Sequence, residues 1–214
     1  PADLTEQVES SLKALRTDYV DVLQYHSWGD KDFDRQDVNT TLQKLVKSGK
    51  VRHAGNSIGS NDNLDQVEAS PKHEVEVIQL IYNRLDQTPE RRVFDACIKL
   101  DLGVLARVPL ASGFLSGKYK PGAVFPAGDV RAKWRHKEFD NRLREVEDIA
   151  RSEVPQGVPM AEWALAWCLK NPQVSTVITG ASRVAQVHEN LGALDVVPKL
   201  DAPVMARIAA VLAQ

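Results

Sequence analysis

Five short apolar runs in this chain each end on a residue that can do chemistry. "DYVDVLQYHSWGD" delivers His26, "VRHAGNS" ends on Ser57, and "VEVIQLIYN" carries Gln79 and Asn83. "GVLARVPL" holds Arg107, and "STVITGA" reaches Thr179 and Gly180. An imidazole can polarise or orient a carbonyl, or move a proton near neutral pH. A serine hydroxyl and a glutamine amide together complement another amide. An arginine plane can stack or reach a phosphate. Any one of these is unremarkable at a loop, and a histidine at a strand end can simply pack. All five together point to one functional end. Gly55, Gly113, Gly117 and Gly180 are expected at the same loops, where backbone must turn tightly or approach a ligand. Lys118 and Arg183 are read near helix N-termini, where a cation beside free N–H groups suits a phosphate.

The elements that must position these residues alternate. Asp3 and Glu6 suggest a capping-box start, followed by Leu4, Val8, Leu12 and Leu15 at helical spacing. A strand is expected over 19–25. A helix carrying Val38, Leu42, Leu45 and Val46 stops near Gly49. Strands follow at 51–57, 75–83, 103–110 and 175–181, separated by a short polar helix in "NDNLDQVEAS" and by a helix capped by Thr88 with Pro89 at its first position. Residues 111–158 form a long excursion with one charged helix near 137–152, read as solvated. "PMAEWALAWCLK" predicts a helix with Met160, Trp163, Ala164 and Trp167 on its core side. Two more helices are expected, near 183–193 and 201–213. Near-continuous apolar strands between helices predict a parallel α/β sheet. The choice lies between an open doubly wound sheet and part of a (β/α)8 barrel, and element counts alone do not decide it. No G-x-G-x-x-G follows a strand, which weakens the first. In both folds the C-terminal strand ends carry the site.

Composition excludes other classes. The 214 residues are 43% hydrophobic and 26% charged, with a net charge of −2, so nothing argues for nucleic acid or a membrane surface. No apolar run is long enough for a membrane span, and no signal peptide is visible. Cys97 and Cys168 fit no metal or redox spacing and read as reduced core thiols. A cytoplasmic protein without a metal is expected.

The ordered blocks "SLKALRTDYVDVLQYH", "GKVRHAGNSIGS", "VIQLIYNRLDQ", "GVLARVPLASGFLSGKY" and "ALAWCLKNPQVSTVITGASRVAQVHENLGAL" resemble the C-terminal part of an aldo-keto reductase. The resemblance spans essentially all of 1–214 as a single domain. It implies a (β/α)8 TIM barrel, represented by about its last five β/α units. It also implies an NADPH (NADP) cofactor and hydride transfer to an aldehyde or ketone, that is, carbonyl reduction to an alcohol by an oxidoreductase. His26 matches the family's catalytic histidine. The family's tyrosine acid, its lysine and its aspartate have no counterpart. Tyr19, Tyr82 and Tyr119 do not match that acid, and roughly 100 residues are expected before Pro1, given a barrel of about 250.

By the same resemblance, Ser57 and Gln79 hold the nicotinamide carboxamide. Arg107 stands where many members carry a stacking aromatic, and Ile58 replaces a frequent asparagine. Pro109, Leu110, Ser112, Leu115, Gly117 and Lys118 match the loop over the pyrophosphate. Gly180, Ser182, Arg183, Gln186, Glu189 and Asn190 match the segment around the 2′-phosphate and adenine, with Arg183 on the 2′-phosphate. Trp28 is expected to line the substrate pocket. The partner is a small-molecule carbonyl, and self-association is left open. The alternative is a non-catalytic NADPH-binding regulatory subunit on the same scaffold. A weaker one is another barrel enzyme that binds phosphate at these loops. Trp163 and Trp167 are read as core, and His53, His73, His136 and His188 as surface or packing residues.

Overall fold

In a computed structural model of the chain, residues 2–133 and 136–200 are described. The helix expected over 201–213 lies outside them. Five strands form one sheet in the order β1 (Val20–His26), β2 (Val51–Ser57), β3 (Val75–Ile81), β4 (Gly103–Arg107) and β5 (Thr176–Ile178). The first three pairings are parallel. Helical crossovers lie between successive strands, as parallel pairing demands. The α/β expectation and all five strands stand, though three are shorter than the apolar runs. β3 stops at Ile81 because Asn83 folds into a turn. β4 stops at Arg107 because Val108 takes a φ of 56°, which no β ladder accommodates.

The described residues form two compact units. One comprises residues 1–82, 87–107 and 173–176, the other 83–86, 108–172 and 177 onward. In the first unit, α1 (Ala2–Leu15) and α3 (Gln36–Lys47), the latter preceded by the single-turn α2 (Asp30–Phe33), lay their apolar faces on β1 and β2. Val8, Leu12, Leu45 and Val51 are buried there, with Leu4, Val20, Leu23 and Val46 packed against them. Each such side chain contributes about 1.5–3 kcal/mol when fully buried. Asp3 lies inside the first turn of α1 rather than ahead of it. It therefore acts through the helix dipole and not as a cap. Asn63 caps α4 (Leu64–Ala69) by accepting from Gln66 N at 3.2 Å. Thr88 does not cap a helix. Thr88–Arg91 is a single 3-10 turn, and α5 starts only at Val93 and runs to Lys99. The proline sets the turn's φ, but the chain bends again at Arg92 before the helix begins.

In the second unit, α7 (Met160–Leu169) is buried on all sides rather than on one. Trp163, Ala164, Leu165, Ala166, Trp167 and Cys168 are all inside. The charged helix α6 (His136–Ser152) is not fully solvated either, since Phe139, Leu143, Val146 and Ile149 bury one stripe. Just beyond it, the Glu153 carboxylate accepts from Arg84 at 2.9 and 2.6 Å in a buried pair. The charges that dominate the sequence of α6 hide this apolar stripe. The last described helices are α8 (Val184–Leu191) and α9 (Ala193–Val196).

Candidate active site

In the first unit the register aligns the chemistry. His26 on β1 stands opposite Ser57 on β2, and Ser57 stands opposite Gln79 on β3. Three neighbouring strands thus deliver an imidazole, a hydroxyl and an amide at one level. His26 is exposed, Ser57 is buried and Gln79 is half-buried. Ser57 Oγ donates to Gln79 Oε1 across a long 3.4 Å, and Gln79 Nε2 donates to Gln24 Oε1 at 3.1 Å. Gln24 lies one layer deeper on β1, opposite Gly55. Gly55 is therefore not a loop glycine but a strand residue.

Arg107 ends β4 opposite Ile81. Its Nη2 makes only a 3.5 Å contact to Ile58 O, and its buried Nε has no hydrogen-bond partner. A buried guanidinium N–H without a partner is costly unless a ligand accepts from it. Ile58 is fully buried, so its side chain belongs to the core and only its backbone faces Arg107.

The loop after β1 turns at Ser27 (φ 54°) and brings Trp28 against Tyr25, with ring centroids 5.2 Å apart. Gln66 fixes this loop. Its Nε2 donates to Trp28 O at 2.9 Å and Asp30 Oδ1 at 2.8 Å, while its Oε1 accepts from Asn56 Nδ2 at 2.9 Å. The hydrogen bonds from Asn63 and Gln66 hold the Asp30 carboxyl below its usual range. His26 and Trp28 line one open cleft of about 480 Å3, with Gln24, Tyr25 and Arg35 among its walls.

Behind Tyr25 runs a buried polar chain. The Tyr25 hydroxyl donates to Asn39 Oδ1, and Asn39 Nδ2 meets His73 Nδ1 at 2.7 Å. His73 Nε2 faces Asp34 at 3.0 Å. Burial pushes the Tyr25 hydroxyl up to about 12 and the His73 imidazole down.

The second unit carries the other predicted residues. The chain from Val108 to Gly117 winds through left-handed backbone at Val108, Ala111, Ser112, Gly113 and Gly117. Asn83, expected at the site, is absorbed here, with its Nδ2 donating to Val108 O at 3.0 Å and its Oδ1 accepting from Leu85 N at 2.9 Å. Pro109, Leu110, Ser112, Lys118, Gly180 and Gln186 line one cavity of about 460 Å3 together with Tyr119 and Arg131. Leu115 is fully buried beneath the loop. A Cβ on Gly117 would stand 3.0 Å from Met160 Cβ, so Gly117 is a packing and turn residue in this structure.

Two expectations about helix termini change. Lys118 follows a 3-10 turn (Ala111–Ser116) and does not stand at a helix N-terminus. Arg183 does stand at a helix N-terminus, as the N-cap of α8, but the two N–H groups just ahead of the helix are taken. Gln186 Oε1 accepts from Ser182 N at 2.7 Å and Arg183 N at 3.2 Å, closing the helix start on itself. The Arg183 side chain and Glu189 are exposed, and Asn190 Nδ2 donates to Thr179 Oγ1 at 3.0 Å.

The residues that the sequence does not single out are Gln24, Asn56, Gln66 and Arg131. Gln24 had a signal, because it sits two before His26 and so shares its strand face. Arg131 had none. Its Nη1 donates to Tyr119 OH at 2.7 Å, its Nε and Nη2 grip Asp129 at 2.8 and 2.6 Å, and its plane covers the Phe125 ring at 4.4 Å. Among the described residues no cluster of His, Cys, Asp or Glu could hold a metal ion, and no helix is long and apolar enough to cross a membrane.

These features meet in the comparisons. The chain is 32% identical to a probable voltage-gated potassium channel subunit beta of Arabidopsis thaliana, over 98% of this chain and 66% of that one. It is 29% identical to the aldo-keto reductase yakc, NADP(+), of Schizosaccharomyces pombe, over 92% of this chain and 58% of that protein. Among solved structures, the holo form of aldo-keto reductase AKR11C1 from Bacillus halodurans superposes with a TM-score of 0.72 at 29% identity, covering 96% of this chain and 65% of that one. The chain thus spans 58–66% of the length of these relatives. Five strands in chain order, the first four paired in parallel, fit part of a (β/α)8 barrel. The aldo/keto reductase family model matches residues 1–213, and the chain belongs to that family.

Proposed function

We propose that this chain carries the nicotinamide-dinucleotide site and the catalytic histidine of a carbonyl reductase, one that reduces an aldehyde or ketone to an alcohol. The observation that carries this is the level alignment of His26, Ser57 and Gln79 on three adjacent strands. The donor set fits a carboxamide. Gln79 Oε1 accepts from an amide nitrogen, and Ser57 Oγ, released from its long 3.4 Å bond, donates to an amide oxygen. The partnerless Arg107 Nε supplies a further donor beside them. When bound, the dinucleotide supplies the hydride.

Every other task falls to side chains. His26, beside the carboxamide clamp, donates a hydrogen bond to the substrate oxygen and orients the carbonyl as negative charge develops there. Trp28 gives the substrate an apolar wall. Pro109, Leu110, Ser112 and Lys118, with Gly180 and Gln186, take the pyrophosphate, while Ser182, Glu189 and Asn190 flank the adenosine. Leu115 and Gly117 shape that loop from beneath. Arg183, exposed at the start of α8, takes the 2′-phosphate, which favours NADPH over NADH. The hydroxyls of Tyr25 and Tyr82 donate to Asn39 and Glu90, while that of Tyr119 accepts from Arg131. By resemblance the proton comes from a tyrosine that none of these three residues matches.

The test, made on the intact protein, is NADPH binding, followed by fluorescence, and NADPH oxidation with a panel of aldehydes and ketones. Binding with turnover supports the reductase. Binding without turnover for any carbonyl favours the second proposal, a cofactor-binding regulatory subunit. That alternative draws on the likeness to the plant channel subunit. Absence of binding removes both.

A further inference from the structure

Gln79 has two chemically different ends, and the clamp works only if the correct one faces the ligand. An unrestrained glutamine amide rotates freely and presents oxygen or nitrogen indifferently. In this structure it is restrained from below. Gln24 reaches up from β1 and takes the Gln79 Nε2 hydrogen at 3.1 Å, which turns Oε1 toward Ser57. Gly55, on the strand between them, makes this reach feasible. A Cβ there would stand 2.7 Å from Gln24 Cγ and 3.3 Å from its Cδ. The Gln24 side chain passes over the one position in β2 without a side chain.

We propose that Gln24 is a positioning residue. It fixes the Gln79 amide so that an oxygen acceptor, and not a nitrogen donor, meets the carboxamide NH2 of the bound dinucleotide. Gln24 thereby selects a carboxamide ring over one that lacks the NH2 group. The inference rests on the proposed dinucleotide site and adds the residue that gives its amide a direction.

The experiment is calorimetric titration of the chain with NADP+ and with its 3-acetylpyridine analogue, in which a methyl replaces the NH2. The parent is expected to prefer NADP+ by about tenfold, the size of one well-made hydrogen bond. Gln24→Leu removes the acceptor beneath Gln79 and is expected to shrink the preference to within about twofold, because the freed amide no longer holds its oxygen toward the NH2 group of NADP+. Gln24→Glu keeps an acceptor there and is expected to retain it. A general loss of structure would weaken both ligands alike and leave the ratio unchanged, so the ratio isolates positioning. If Gln24→Leu does not fold, Gln24→Glu and Gly55→Ala carry the test by retaining and losing the preference respectively. A Gln24→Leu or Gly55→Ala protein with the parental ratio overturns the inference, as does a parent that binds both ligands equally. A parent that binds neither dinucleotide overturns the underlying site and the inference with it.

Discussion

The Gln24 side chain crosses β2 where Gly55 leaves no Cβ, and an alanine there would place a carbon 2.7 Å from Gln24 Cγ. The glycine is thus required by a neighbour and not by its own backbone. Gly55→Ala is expected to cost about 1–3 kcal/mol through overpacking and to weaken NADPH binding by about tenfold as the clamp amide is released. Chemical denaturation and fluorescence titration on the same sample measure the two effects.

The buried Arg84–Glu153 pair gives a separate prediction. Glu153→Leu leaves a guanidinium buried without its carboxylate, an omission that costs about 3–5 kcal/mol. The double variant Arg84→Met/Glu153→Leu is expected to recover most of that loss, because replacing both charges restores an apolar contact. A double-mutant cycle in urea checks both values. A single variant as stable as the parent would mean that the turn at 83–86 and the end of α6 do not depend on this pair.

The strands were legible because each is a short apolar run ending on a polar or small residue. His26, Ser57 and Gln79 could be read for the same reason, and the parallel register then aligned them. What the sequence concealed was dictated by long-range partners. Gly55 looked like a loop residue until Gln24 was seen crossing it. Thr88 looked like a cap until Arg92 broke the helix behind it. The hold of Gln186 on Ser182 N and Arg183 N, just ahead of α8, is a matter of rotamer rather than spacing. The apolar stripe of α6 was outnumbered by its charges.

His73 makes stability depend on pH. Burial is the chief cause that lowers its pKa from 6.5; Lys72 adds to the shift, while Asp34 opposes it. A base held below its unfolded pKa resists protonation in the fold. Its contribution is therefore complete above pH 6.5 and is lost as pH falls from there through the depressed folded value. The melting temperature is expected to drop between about pH 7 and pH 5, and His73→Gln is expected to flatten that slope. Calorimetric scans of both proteins across the range provide the comparison.

Both thiols are expected to be inert in the folded protein. Burial raises Cys97 to about 11 and Cys168 to about 12, so almost no thiolate exists at neutral pH. A thiol-specific disulfide reagent at pH near 8 is expected to titrate neither cysteine natively and both in denaturant. Rapid labelling of the native chain would contradict the burial of α5 and α7.

Among the described residues β1 pairs only with β2, and this has a consequence for amide exchange. The backbone of β2 and β3 is flanked on both sides, whereas β1 turns one row of its N–H groups outward. Deuterium uptake should therefore grade across the sheet, slowest in β2 and β3. Within β1 it should be uneven, with amides directed at β2 protected and those on the far side exchanging early. Any chain or segment that came to lie along that edge would announce itself by slowing the second set alone.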